Sequence, residues 1–149
     1  MAANPPAPRR LDSGHRLPVF ARPDEHPGQV GRFGNITRMV FHPSDADPTS
    51  PNAGTITYPP GTGFPLHKHD FAQLWYVLEG ECRFGDRTLR SGDMVYLGDP
   101  HVEHEMHTEN GCVIIFMQYP GPETGARPIY EGRFDAAADG DQADLNLER

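Results

Sequence analysis

The chain is short of basic charge, of cysteine and of long apolar runs, and each shortage removes a class of function. Lysine and arginine total 13 against 21 aspartates and glutamates, for a net charge of −8. Nucleic acid and anionic membrane surfaces both need clustered cations to neutralise phosphate, so neither is expected as a partner. Arg9–Arg10, the basic doublet near the N-terminus, is too small a footprint. The longest apolar run, Val113 to Met117, falls far short of the ~20 residues a membrane helix requires. No apolar stretch of signal-peptide length follows Met1, which makes the cytoplasm the expected compartment. Only Cys82 and Cys112 are present, at a spacing that suits neither a zinc site nor a thioredoxin motif. They read as small buried apolar residues on strands in preference to a disulfide. Amphipathic helical periodicity and internal repeats are also missing.

What is present is a short chain cut finely by turn residues. At 149 residues it suits one domain with a core and is too short for two. Its apolar content of 36% is unevenly spread. Residues 1–30 read as a proline-rich arm, 31–120 as the apolar body, and 121–149 as a second arm with an acidic tail. Disorder is expected for most of 1–28 and beyond Phe134, whereas Arg127–Tyr130 and Phe134 offer apolar groups for the barrel or for a second subunit. Prolines and glycines, sixteen of each in the chain as a whole, divide the body into short β-like segments. These are Asn35–His42, Thr55–Tyr58, Leu66–His69, Ala72–Leu78, Glu81–Phe84, Arg87–Leu89, Asp93–Leu97, Val102–Thr108 and Cys112–Tyr119. Asp45–Asn52 reads as a polar loop. Ala72–Leu78 is apolar enough to be covered on both faces, with a break at Gly80. Gly85–Asp86 is a two-residue hairpin turn. Short strands at this spacing indicate an all-β sandwich or barrel.

Five of the eight histidines fall between His67 and His107. His67 and His69 flank Lys68 on an expected strand, so both imidazoles share one face and can take neighbouring positions on one ion. Around them the order is Gly61, His67, His69, Gln73, Gly80, followed by Gly92, Asp93, Pro100 and His104. This arrangement resembles the two motifs of the cupin superfamily over residues 61 to about 108. The resemblance implies a single jelly-roll β-barrel with one divalent transition metal inside its mouth. The family uses three histidines and a glutamate; by position these are His67, His69, His104 and Gln73. Here the glutamate is a glutamine, and the stretch from Gly92 to the last histidine is one residue longer than the commonest form. His101 and His107 therefore compete with His104 for the third position. His104 is favoured because an extended strand puts it on one face with Met106 and Thr108, while His107 points the other way. Asp70, Glu79 and Glu103 should all face away from the site.

The first shell is thus expected to be three neutral imidazoles, with Gln73 either a weak oxygen ligand or an amide that donates beside the ion and orients a histidine. Neutral ligands leave the ion its full charge, which favours an anionic chelating substrate. Fe(II) is the first choice, with Zn, Mn, Ni or Cu as alternatives. Cupins with three histidines include dioxygenases acting on phenolic and β-dicarbonyl compounds and on thiols. The resemblance therefore implies a small-molecule substrate with O₂ as co-substrate. A non-catalytic metal- or metabolite-binding cupin, or a metal-dependent isomerase or decarboxylase, is the alternative. Trp75, Tyr96 and Met106 are candidate pocket residues, and a homodimer is the expected assembly.

Overall fold

The computed structural model describes residues 18–98 and 102–119. A 3-10 turn at Pro23–Glu25 precedes nine strands: β1 (Gln29–Val30), β2 (Ile36–Phe41), β3 (Asn52–Tyr58), β4 (Thr62–His67), β5 (Gln73–Phe84), β6 (Arg87–Arg90), β7 (Met94–Leu97), β8 (His104–Thr108) and β9 (Cys112–Gln118). No α-helix occurs among the described residues. Every strand pairing is antiparallel, and the order β1-β2-β3-β9-β5-β8-β4, with β6 and β7 also on β5, curls into a jelly-roll half-barrel. β1 lies in the segment read as the arm and pairs Val30 with Ile36. The arm from Gly121 onward, with Arg127–Tyr130 and Phe134, lies outside the described residues.

Two irregularities shape the barrel. The first corrects the expected break at Gly80, through which β5 continues. The N-terminal half of β5 pairs with β7 and β9, and its C-terminal half with β6 and β8, so one strand serves both sides of the barrel. A register shift between Val77 and Glu79 supplies the bend. Gly80 sits there at φ 78°, and a Cβ on it would run into the Gly111 carbonyl. Gly80→Ala is therefore expected to destabilise the fold by about 3 kcal/mol, from left-handed strain plus the steric clash. A urea denaturation midpoint equal to that of the wild type would contradict this.

The second irregularity is in β4, which begins at Thr62 and not at the expected Leu66, and so takes in Pro65. β4 is the last strand in the order, and a missing N–H is tolerated at an edge or a bulge. Phe64 pairs with Met106 and His67 with His104, which leaves one extra residue on β4. That extra residue lets Phe64 and His67, three apart, face the same side.

Inward positions follow strand alternation. Trp75, Val77, Met106, Cys112, Ile114 and Phe116 join Ile56, Tyr58, Cys82 and Leu89 in one core. Both cysteines are buried with free thiols. The hydrogen bond from Cys82 to Cys112, together with burial, pushes the Cys82 thiol far above its ordinary range. The outer face of β5 is not fully covered as expected: Leu74 and Tyr76 are half-buried and Leu78 is exposed. Its neighbours Met94 and Tyr96 on β7 are exposed too.

Candidate metal centre

The half-barrel brings His67, His69 and His104 together, all buried, with donor atoms within 4.8 Å of one another. Each arrives by a different route. His67 is the last residue of β4, turned inward by the bulge; His104 opens β8 directly opposite it. His69 lies just past β4, where the chain leaves strand geometry before Gln73 opens β5. The Nε2 atoms of His67 and His69 are 3.1 Å apart. Two donors ~2.1 Å from one ion and at right angles to each other would sit about 3.0 Å apart, so this pair already has ligating separation.

Hydrogen bonds to the far ring nitrogens set the tautomers. His67 Nδ1 lies 2.7 Å from the Pro65 carbonyl, and His104 Nδ1 lies 3.0 Å from the Val102 carbonyl. A carbonyl only accepts, so both Nδ1 atoms carry the hydrogen and both Nε2 atoms present lone pairs inward. This is the arrangement in which carbonyls orient metal-ligating imidazoles. The donor set fits a divalent transition ion on chemistry and on orientation.

Gln73 is fully buried beside this cluster, and its orientation follows from Trp75. An indole N–H can only donate, so the amide oxygen of Gln73 faces it at 3.2 Å. The same oxygen accepts from Gln118 Nε2 at 3.1 Å. The amide NH₂ is left to donate to His104 Nε2 at 3.2 Å. Of the two roles open to Gln73, the geometry favours the donor beside the centre, because its oxygen already has two partners.

A family model described as "Cupin domain" matches residues 54–117, the span that contains all three histidines. Residues 54–117 are thus similar to a cupin domain. Solved structures share the fold at low identity. An RmlC-like cupin from Shewanella frigidimarina has 23% identity and a TM-score of 0.59, covering 72% of this chain and 95% of its own. The polyketide cyclase RemF from Streptomyces resistomycificus has 13% identity and a TM-score of 0.60, covering 85% and 96%. An acetylacetone dioxygenase from Acinetobacter johnsonii has 12% identity and a TM-score of 0.56, covering 73% and 78%. No curated protein matches the chain.

The other site candidates separate cleanly. Trp75 and Met106 are buried in the core next to the histidines, whereas Tyr96 is 70% exposed on the outer face and cannot line the interior. β7 explains this: Val95 and Leu97 point inward, and strand alternation sends Tyr96 outward. His107 is exposed on the outer face of β8, and His101 lies outside the described residues. Glu79 and Glu103 are exposed; Asp70 is buried but is not one of the grouped donors. Phe84 went unnoticed in the sequence. Its ring stacks on His104 at 5.7 Å between centroids and meets Trp75 edge-on. Phe64 closes the other side, edge-on to His67 and His104, and Phe71 packs on His69 at 4.4 Å. No helix among the described residues is long and apolar enough to cross a membrane.

This apolar jacket affects titration. Burial lowers the His104 pKa below the usual histidine value, and the Val102 carbonyl offsets part of that. A histidine with a lowered folded pKa binds its proton less readily than in the unfolded chain. Its contribution to stability is therefore complete above about pH 6.5 and is lost as pH falls through the lower folded value. Metal-free protein should accordingly lose melting temperature below about pH 6.5, and His104→Gln should flatten that acid slope. Parallel slopes for wild type and variant, by circular dichroism, would rule out His104 as the titrating group.

Proposed function

We propose that this protein is a ferrous-iron dioxygenase acting on a small anionic chelating substrate of phenolic or β-dicarbonyl type. The observation that carries the reading is the donor set: three buried neutral imidazoles without a carboxylate among them. Neutral donors leave a dication's charge uncompensated, which selects an anionic chelate. A ferrous ion held there would supply vacant coordination positions and the one-electron chemistry by which a chelated substrate and O₂ react.

The chain's own residues supply the remainder. The Nδ1–H bonds from His67 and His104 to carbonyls hold the rings in their ligating tautomer. The Gln73 NH₂ can donate to an anionic oxygen arriving beside His104. Phe64, Phe71, Trp75 and Phe84 exclude water, which strengthens both interactions. A structure sharing this fold is named for action on acetylacetone, itself a β-dicarbonyl, and that supports the substrate class.

The test is oxygen uptake by protein loaded anaerobically with ferrous iron, across a panel of β-diketones, hydroxyacetophenones, catechols and thiols. The expected result is one O₂ consumed per molecule of at least one chelator. No uptake with any of them, together with stoichiometric zinc or manganese in the purified protein, would point instead to a binding cupin or to an oxygen-independent decarboxylase or isomerase.

A further inference from the structure

The amide of Gln73 does not end the polar row that begins at His104. On the strands β5, β9 and β3, Gln73 pairs with Gln118, and Gln118 with Asn52. Directly opposed residues share a face, so three amides line up inside the barrel with Gln73 nearest the histidines. The order of their atoms is fixed from one end. The Trp75 N–H orients Gln73, the Gln73 oxygen takes the Gln118 NH₂, and the Gln118 oxygen is turned away from Gln73. That oxygen is buried without a hydrogen-bond partner. Asn52 is 0% exposed, and both its amide oxygen and its amide nitrogen lack partners. Three unmet polar atoms in one row are a strong exception to the rule that buried polar groups are paired. An apolar residue at either position would remove the penalty, so these amides have a cost that packing does not explain.

We propose that Gln118 and Asn52 form a substrate-recognition subsite beside the metal centre. It would take an uncharged hydrogen-bond-donating group of the chelating substrate that does not itself coordinate, the NH₂ of a primary carboxamide or a hydroxyl. The atoms define the class. The Gln118 oxygen can only accept, so the ligand must donate to it, and a carboxylate would be repelled. The Asn52 amide offers one acceptor and one donor: its oxygen can take the second hydrogen of an amide NH₂, and its own NH₂ can donate to the oxygen of a hydroxyl. This subsite rests on the metal-centre reading, since the chelating end needs an ion among the histidines.

Acetylacetone and acetoacetamide test it, because they differ only in a methyl against an amino group of similar size. Their affinities for cobalt-loaded protein would be measured by calorimetry in wild type, Gln118→Met and Asn52→Leu. The ratio of acetoacetamide to acetylacetone affinity should fall about tenfold in each variant, because one of the ligand's two N–H groups then meets no acceptor. Acetylacetone affinity and cobalt content should stay within about twofold of wild type, since neither side chain belongs to the grouped donors. An unchanged ratio in both variants, with cobalt and acetylacetone still bound, would overturn the subsite and leave the row a site for ordered water. Failure of wild type to bind cobalt would sink the metal reading instead. Should the variants not fold, the wild-type protein decides by NMR in its diamagnetic zinc-loaded form. Acetoacetamide should shift the side-chain amide resonances of Asn52 and Gln118 while acetylacetone leaves them in place, and identical responses to the two ligands would overturn the proposal.

Discussion

His104→Ala is expected to lower affinity for zinc or cobalt by roughly two to three orders of magnitude. A four-ligand structural site binds zinc with roughly 10–16 kcal/mol, so one ligand is worth about 2.5–4 kcal/mol, or about 70- to 900-fold. In this site the ring is fixed from three sides. Val102 takes its Nδ1–H, Gln73 donates to its Nε2, and Phe84 stacks on its face. Truncation removes a donor that nothing nearby can replace, since Glu103 and His107 point outward from the same stretch. His107→Ala therefore serves as a control and should keep stoichiometric metal, and His101→Ala tests the remaining candidate. Equilibrium dialysis of the three variants decides among the three histidines. Full metal binding by His104→Ala, or its loss in His107→Ala, would reassign the third position and, with it, which face of β8 lines the site.

How far the sequence could be read depended on whether local rules were sufficient. Alternation along β8 was sufficient: His104, Met106 and Thr108 are buried while Glu105 and His107 are exposed. The hairpin at Gly85–Asp86 was legible for a similar reason, since two residues between Phe84 and Arg87 leave little choice of turn. Bulges were not legible. The extra residue between Phe64 and His67 reverses the parity of everything before it, so Phe64 came to face the histidines although simple alternation would send it away. The bend at Gly80 hid Phe84 in the same way, because a strand assumed to stop cannot carry parity across the break. Tyr96 shows the opposite error, an aromatic credited to the interior because it lies near the motifs in the sequence when its strand position turns it outward.

Asn52 and Gln118 were hidden for another reason. Asn52 closes a stretch of proline and polar residues and reads as loop, yet it is the first residue of β3 and pairs with Gln118. A signal was available in β9, where Cys112, Ile114, Phe116 and Gln118 share one parity. A glutamine continuing a row of core residues is either an end of strand or a buried polar group with a task.

Gln73→Glu carries the largest expected change in the character of the site. In the wild type one amide oxygen holds the Trp75 and Gln118 hydrogens while the NH₂ faces the His104 lone pair. A glutamate keeps the first half of that arrangement and sets a second oxygen against the lone pair. Without metal this is unfavourable twice over, because a carboxylate is buried and two acceptors face each other. The metal-free variant should be less stable than wild type at neutral pH. It should recover part of the loss on mild acidification, as His104 takes a proton and pairs with the new charge. With metal both penalties vanish, so cobalt affinity should rise tenfold or more. A unit charge 4 Å from the ion contributes about 4 kcal/mol even at an effective dielectric of 20, and a third of that is tenfold. The same charge reduces the field available to a second anion, so acetylacetone should bind the cobalt-loaded variant about tenfold more weakly than it binds wild type. Opposite movement of the two affinities is the signature of a residue that sets the net charge of the centre. Unchanged values for both would show that the amide acts on His104 alone and does not reach the ion's coordination sphere.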